Sequence, residues 1–207
     1  MTRTCAFGPL TVSYDERVLA PRPWTFEQSR WAAELAADAA PGPVLELCAG
    51  AGHIGLAAAV LADRDLVQVE ADPIAARYAR DNAGSAGWGG RVQVRVARLE
   101  SALDPQELFA LILADPPYLP SREIERWPED PQTAIDGGTD GLELIKQCLA
   151  VAAEHLIADG QLLLQVAGPP QVDQVRDLLA AAPAVALLHR ASRVVDPERA
   201  IMLIGRR

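Results

Sequence analysis

The chain has 207 residues, half of them hydrophobic, and a formal net charge of −9. This length and apolar content suit a folded chain with a sizeable, mainly aliphatic core, and they exclude extensive disorder. The acidic charge disfavours a protein that grips a nucleic-acid backbone, because such proteins usually present a basic face. The three cysteines are scattered and form no CxxC pair, so they indicate neither a metal site nor a disulfide framework.

The amino terminus lacks the apolar stretch of a signal peptide, and no run approaches the length needed to cross a bilayer. Together with the scattered cysteines, this predicts a reducing, cytoplasmic environment and no membrane association. We expect one domain over 1–207, with an N-terminal hairpin and helix in 1–40 and a core in 41–207.

The predicted elements begin with the hairpin and helix. Two short alternating segments within 7–19, on either side of 14–17, predict a β-hairpin. Thr25 and Gln28 have the spacing of a capping box, which predicts that a helix starts there and continues to about Asp38.

From residue 44 onward, strand patterns alternate with helix patterns. The predicted strands are 44–48, 66–70, 92–96, 108–114, 161–166, 185–189 and 200–204. The predicted helices are 54–61, 73–86, 141–155 and 172–181. Asp72 followed by Pro73 is an N-cap signal, and Asp159-Gly160 predicts a turn. Apolar strands between helices indicate a mainly parallel sheet that is covered on both faces.

The most informative segment is Asp115-Pro116-Pro117-Tyr118, which follows the apolar strand 108–114. The prolines cannot continue the strand ladder, so they fix Asp115 and Tyr118 at the carboxyl end of the strand, where ligands bind in open α/β sheets. A carboxylate, free backbone carbonyls and an aromatic ring suit a flat amino or amide nitrogen, because they accept its N–H groups and stack on its plane.

A glycine-rich turn and an acidic residue predict a second part of the site. The first core strand runs into Gly50, Gly52 and Gly55 and then into a helix, an arrangement that lets the backbone approach a ligand. Glu70 ends the next strand, where an acidic side chain can accept both ribose hydroxyls of a nucleoside-containing cofactor.

The long irregular stretch 119–139 is more typical of a functional loop than of an idle one. Within 130–141, three glycines predict a backbone with positive φ, and the segment alone reads as a loop that caps the next helix. The three histidines share no spacing, and the nucleophile-elbow and P-loop motifs are both missing, so hydrolase and nucleotide-hydrolysis functions lack support.

Together these segments resemble the class I S-adenosylmethionine-dependent methyltransferases, and more narrowly the HemK-like protein-(glutamine-N5) methyltransferases. The stretch 18–27 is similar to the family's VLIPRPETE, 46–52 to motif I, and 130–142 to EPxxALxGGxDGL. Asp115-Pro-Pro-Tyr118 stands where the family has Asn-Pro-Pro-Tyr. The resemblance implies a Rossmann-like α/β fold with seven strands, the last antiparallel, and S-adenosylmethionine as the cofactor.

The resemblance also implies roles for individual residues. The catalytic residues would be Asp115, Pro116, Pro117 and Tyr118. The cofactor-binding residues would be Glu46, Cys48, Ala49, Gly50, Gly52, Glu70, Ala71, Arg98, Leu99 and Asp115. The substrate-binding residues would be Pro21, Arg22, Pro23, Tyr118 and Pro131. A protein glutamine amide, such as one in a peptide-chain release factor, is the first choice of acceptor.

Three departures from the family pattern keep other functions open. Asp115 only accepts hydrogen bonds, and amino-adenine methyltransferases share its motif, so an adenine in RNA or DNA is an alternative acceptor. Arg98 stands where the family has an acid for the cofactor adenine, and Glu100 is a possible substitute; this leaves a non-enzymatic, cofactor-binding scaffold subunit open. About 40 residues precede motif I, without the family's release-factor docking domain, which leaves a different protein or a small molecule as the substrate. The sequence does not determine the oligomeric state.

Overall fold

The structure is a computed structural model that describes residues 1–206. The strands in that range are β1 (Arg3–Phe7), β2 (Leu10–Tyr14), β3 (Val44–Leu47), β4 (Leu66–Glu70), β5 (Val92–Val96), β6 (Phe109–Ala114), β7 (Leu156–Val166), β8 (Leu187–Asp196) and β9 (Arg199–Arg206). The α-helices in that range are α1 (Phe26–Ala36), α2 (His53–Ala62), α3 (Pro73–Ser85), α4 (Glu143–His155) and α5 (Gly168–Ala181).

The core of the fold is a seven-stranded sheet in the order β5-β4-β3-β6-β7-β9-β8. Strand β9 is antiparallel to both of its neighbours, and the other pairings in the sheet are parallel. Strands β1 and β2 form a separate antiparallel hairpin. The predicted seven-stranded, mainly parallel sheet with an antiparallel last strand is confirmed.

Helices cover both faces of the sheet and bury two apolar layers. Helices α4 and α5 pack on one face, and α1, α2, α3 and the hairpin pack on the other. Strand β3 is buried along its whole length. Burial on both faces explains why the central strands read as continuous apolar runs rather than as alternating patterns.

The order of the strands brings three predicted site residues to one edge. Leu47 of β3 pairs with Val69 of β4 on one side and with Ala114 of β6 on the other. Between β3 and β6 the strand order reverses, which creates the crevice where open α/β sheets bind ligands. The residues that come next on these three strands are Cys48, Glu70 and Asp115.

The N-terminal hairpin is confirmed, but its predicted position was wrong. The turn lies at Gly8-Pro9, where Gly8 has a φ of +54°. The stretch 14–17 instead follows β2 and is fixed by hydrogen bonds. Asp15 is buried and accepts hydrogen bonds from the Arg17 backbone amide and from the hydroxyl of Tyr78 at 2.8 Å. A buried carboxylate needs such partners, and one of them, Tyr78, comes from α3, far along the chain.

Helix α1 starts as predicted, but the capping box does not form. A 3-10 turn, Pro23–Thr25, already gives Thr25 a helical backbone, and its hydroxyl donates to the Arg22 carbonyl at 2.8 Å. Gln28 reaches the sheet instead of the helix start. By contrast, the predicted N-cap at Asp72 is confirmed, since its carboxylate accepts a hydrogen bond from the Ile74 amide at 2.7 Å.

The last strands also differ from the prediction. The predicted turn at 159–160 is wrong, because β7 runs through it with a register shift that opposes Phe109 to Leu156 and Leu111 to Gln161. Strand β8 extends seven residues beyond the predicted end at 189. Its charged residues concealed the strand, but exposed and half-buried positions alternate along it, as is typical of an edge strand.

Candidate active site

The loop after β3 has the strained backbone that its glycines predict. Cys48, Gly50 and Gly52 all have positive φ values, +56°, +55° and +77°. A side chain on Gly52 would lie 2.8 Å from the Cβ of Ala79, so this position requires glycine. A Cβ on Gly50 would meet nothing within 4 Å, so this face of the loop is open to a ligand.

Glu46 lies beneath this loop and holds it in place. It is buried, and its carboxylate accepts hydrogen bonds from the Gly55 amide at 2.8 Å and from Gln68 Nε2 at 2.6 Å. Burial raises the pKa of Glu46 to about 7. Gly55 must lack a side chain, because a Cβ would lie 2.7 Å from the Glu46 carboxyl carbon. The structure therefore places Glu46 as a support for the loop, and its contact with a cofactor stays a prediction.

Glu70 connects the loop to the start of α3. Its Oε2 accepts the Gly50 amide at 2.7 Å and its Oε1 accepts the Asp72 amide at 2.8 Å. Burial raises the pKa of Glu70. Each carboxylate oxygen has a second lone pair, so hydroxyl donors can still bind. The predicted role of Glu70 with a ribose is compatible with this position.

The other predicted cofactor residues lie around Glu70, with different exposure. Ala49 is buried, Ala71 is exposed, and Leu99 is buried in the core next to α4. The Arg98 side chain is exposed and makes no ion pair with residues 1–206. Its backbone carbonyl instead accepts the Ser101 amide at 3.1 Å, which starts a short 3-10 helix.

Asp115 stands at the carboxyl end of β6 with an unusual electrostatic environment. Its carboxylate accepts no hydrogen bond from the described residues 1–206, and burial raises its pKa to about 7. A carboxyl group without partners, at the crevice of the sheet, is available to a donor on a ligand.

The glycines of 130–141 support the Pro-Pro-Tyr corner. A Cβ on Gly137 would lie 2.8 Å from the Pro117 carbonyl oxygen, and one on Gly141 would lie 2.6 Å from the Tyr118 carbonyl oxygen. Gln171 of α5 donates to that same Tyr118 carbonyl at 3.0 Å. This loop therefore packs on the corner, which the sequence pattern alone did not reveal.

Sequence reasoning missed a second support of the corner, Gln28. Its side chain is fully buried, and its Nε2 donates to the carbonyls of Ala114 and Leu163, both at 3.0 Å. The Ala114 carbonyl ends β6 next to Asp115, and the Leu163 carbonyl lies within β7, so Gln28 connects α1 to the two strands beneath the site. The only signal was a polar residue on the apolar side of a helix.

A pocket of about 280 Å³ opens behind Asp115 and Tyr118; we call it the acceptor pocket. Arg22 and Asp130 close it through an ion pair of 2.5 Å between segments that are 108 positions apart. The volume lies near the lower end of the range for small-molecule sites, roughly 300–1,000 Å³, and suits one side chain or a small planar group.

The acceptor pocket contains some of the predicted substrate residues and several that were missed. Arg22 and Tyr118 line it, whereas Pro21, Pro23 and Pro131 do not. The missed lining residues include two tryptophans and an arginine: Trp24, Trp127 and Arg199. The Arg199 guanidinium stacks 3.8 Å from the centroid of the Trp24 ring.

Sequence comparisons show which known proteins this chain resembles. A family model described as conserved hypothetical protein 95 matches residues 29–128. The release factor glutamine methyltransferase of Mycolicibacterium smegmatis is 35% identical over 174 residues, covering 76% of this chain and 57% of that protein. The ribosomal protein uL3 glutamine methyltransferase of Bordetella pertussis is 33% identical over 129 residues, covering 59% and 42%.

Structure comparisons match the fold. The hMettl16 catalytic domain, solved with an RNA hairpin, has a TM-score of 0.75 at 15% identity, covering 96% of this chain and 75% of that one. TrmN from Thermus thermophilus has a TM-score of 0.59 at 19% identity, covering 86% and 48%. The chain is similar in sequence to HemK-like glutamine methyltransferases, and it has the class I methyltransferase fold. It spans about half the length of the relatives that it matches.

The residues at the crevice fit the cofactor of the class I methyltransferases, S-adenosylmethionine. The open face of Gly50 gives a nucleoside room to approach the loop. Glu70 offers free lone pairs to ribose hydroxyls, and Asp115 lies across β3 from it, next to the acceptor pocket. Among residues 1–206, no group of three or more metal-ligating side chains is placed to hold an ion, and no helix is long and apolar enough to span a membrane.

Proposed function

We propose that this chain transfers a methyl group from S-adenosylmethionine to the side-chain amide nitrogen of a glutamine in a protein. The observation that carries the proposal is the Asp115–Tyr118 corner, which lies between the Gly50–Glu70 crevice and the acceptor pocket. The names of the relatives support the amide acceptor, since they are glutamine methyltransferases of release factors and of ribosomal protein uL3.

Position and electrostatics would supply most of the catalysis. When bound, S-adenosylmethionine supplies an electrophilic methyl group on a sulfonium. The Asp115 carboxylate and the Pro116 carbonyl would accept the two N–H groups of the amide, and the Tyr118 ring would pack on the amide plane. The lone pair of an amide nitrogen is delocalised into the carbonyl group, which makes the nitrogen a poor nucleophile. These contacts would direct the lone pair toward the methyl group.

The transfer would form one N–C bond while the S–CH3 bond of the sulfonium breaks and leaves a neutral thioether, and the nitrogen would then release one proton. Asp115 is the group in the acceptor pocket that can take this proton near neutral pH, because burial raises its pKa to about 7. A base works best when its pKa lies near the working pH. The family's asparagine at this position could not accept the proton, so Asp115 gives this chain a pH dependence that the usual motif lacks.

An adenine amino group is the second candidate, because the acceptor-only Asp115 suits an amino group as well as an amide. The rim of the acceptor pocket counts against it. Three arginines line that pocket, and each has a carboxylate partner: Arg22 with Asp130, Arg126 with Glu123 and Arg199 with Asp196. Paired arginines offer little to a phosphate backbone, which requires free positive charge.

Two further points belong to the proposal. We infer that the chain acts in the cytoplasm, because the acceptors named for its relatives are translation proteins. We also infer that 1–207 is one domain, which the two apolar layers on a common sheet support.

The test is transfer of labelled methyl groups from S-adenosylmethionine to a release factor, to protein uL3, to bulk RNA and DNA, and to a small-molecule extract. Asp115→Ala is the control for the site. Label on a glutamine of either protein, lost in the variant, supports the proposal. Label on nucleic acid or on small molecules alone refutes the glutamine acceptor. Cofactor binding without transfer to any acceptor favours a scaffold subunit.

A further inference from the structure

A second, shallow groove lies next to the acceptor pocket. We call it the flank groove; it runs between the start of α1 and the end of β8. It is lined by Pro23, Trp24, Phe26, Glu27, Arg30, Arg193, Val194 and Val195. Trp24 also lines the acceptor pocket, so one side chain forms the wall between the two. A ligand that fills the acceptor pocket and continues past Trp24 would enter the flank groove.

The shared wall is held rigidly. Arg199 stacks 3.8 Å from the centroid of the Trp24 ring, and the Asp196 carboxylate holds Arg199 at 2.6 Å. Arg22 lies 5.8 Å from the same centroid and pairs with Asp130. Cation–π contacts with paired arginines restrict the indole. The groove and the acceptor pocket therefore keep a fixed distance from each other.

The charged side chains in the flank groove form ion pairs within the protein. Glu27 pairs with Arg30 at 3.3 Å and with Arg193 at 3.0 Å. Arg193 also pairs with Glu34 at 2.7 Å and stacks 4.2 Å from the centroid of the Trp31 ring. The surface left for a partner is therefore mainly apolar. This arrangement favours an uncharged segment and disfavours a phosphate backbone.

One side of the groove is the free edge of the sheet. Within the described residues, β8 pairs only with β9 and is therefore an edge strand of the sheet. Val194 lies on this edge strand, and 59% of its surface is exposed. An exposed edge next to an apolar groove is suited to an extended polypeptide, which adds backbone hydrogen bonds to side-chain contacts.

We propose that the flank groove binds the stretch of the acceptor protein that adjoins the methylated residue, as an extended, uncharged segment with an apolar side chain against Trp24 and Val194. This inference rests on the proposed function. It assigns the acceptor side chain to the acceptor pocket and the neighbouring backbone to the edge of β8.

The test compares Val194→Asp and Val194→Lys with Leu188→Asp. Leu188 is a matched control, because it is an exposed apolar residue of the same strand, about 20 Å away along β8. The assay is steady-state methyl transfer to the protein acceptor that the wild-type chain labels. Thermal unfolding and calorimetric binding of S-adenosylmethionine verify that each variant is folded and loads its cofactor.

We expect both Val194 variants to raise KM for the protein acceptor on the order of tenfold, with kcat within about twofold, as for the loss of a well-placed contact. Leu188→Asp should leave both constants unchanged. An equal effect of Asp and Lys shows that the contact is apolar rather than electrostatic.

Four outcomes would overturn the inference. If the wild-type chain methylates the protein and the Val194 variants have its KM, the groove proposal fails while the function stands. If Leu188→Asp raises KM as much as the Val194 variants do, the effect is not specific to the flank groove. If the Val194 variants change only the sedimentation of the chain, the edge serves self-association. If the wild-type chain labels no protein, the function fails and the groove proposal falls with it.

Discussion

Replacement of Asp115 by asparagine should stabilise the protein in a pH-dependent way. The folded chain holds the Asp115 proton up to a pKa of about 7, compared with an ordinary value of 3.8. The unfolded chain therefore loses its proton first as the pH rises. The free energy of unfolding should decrease between these two values and stay low above them. Asparagine has the same shape without the charge, so the variant escapes this loss.

The size of the effect follows from the shift in pKa. Roughly three pH units at 1.36 kcal/mol each give an upper limit of about 4 kcal/mol. Asp115 lines a pocket that water can enter, and screening there reduces the value, so we expect about 2 kcal/mol. Asp115→Asn should thus be more stable than the wild type by about 2 kcal/mol at pH 8 and nearly equal to it at pH 4.

Urea unfolding of both proteins at pH 4, 5.5 and 8 measures this difference. Asp177→Asn, at an exposed position of α5, is the matched control and should show no such trend. The pH profile of methyl transfer is a second readout: the wild-type rate should rise through pH 7 as Asp115 ionises, and the variant profile should be flat there. A stability difference that is equal at pH 4 and pH 8 would refute the reasoning.

Three further variants test the supports of the site. Gly55→Ala should lower the free energy of unfolding by about 1–3 kcal/mol, because the new Cβ would press on the Glu46 carboxyl group. Gly84→Ala is the control and should not destabilise the protein, because a Cβ there would meet nothing within 4 Å. Equal melting temperatures of the two variants would contradict this prediction. Gln28→Leu should cost about 1–3 kcal/mol, because the carbonyls of Ala114 and Leu163 lose their side-chain donor. It should also slow methyl transfer while the affinity for S-adenosylmethionine in calorimetry is kept, and an unchanged rate would exclude a positioning role. Burial lowers the pKa of His53 from 6.5 to about 4. As the pH falls, the imidazole of the unfolded chain is therefore protonated first, and the free energy of unfolding should decrease by up to about 3 kcal/mol between these two pKa values. His53→Leu should remove this part of the acid sensitivity in urea titrations, and an unchanged pH dependence would show that His53 is not its source.

Local patterns in the sequence determined the order of the core elements and the main motifs. Apolar runs predicted the central strands, because strands buried on both faces carry few polar residues. Asp72 before Pro73 marked the start of α3, and the two prolines after Asp115 marked the end of β6, because proline lacks the amide that would continue the ladder. Each of these signals acts over a few neighbouring residues, so it can be read without the fold.

Only the tertiary structure decided which side chains meet. Gln28 looked like part of a helix cap, but packing of α1 on the sheet placed it under β6 and β7. Arg22 pairs with Asp130, which is 108 positions away in the chain, and Arg199 stacks on the Trp24 ring. Both contacts form because the long loop 119–139 and the end of the sheet converge on the start of α1. Such contacts join residues that no local pattern connects. The sequence thus determined where the Asp115–Tyr118 corner lies, whereas long-range packing determined the walls of the pocket that faces it.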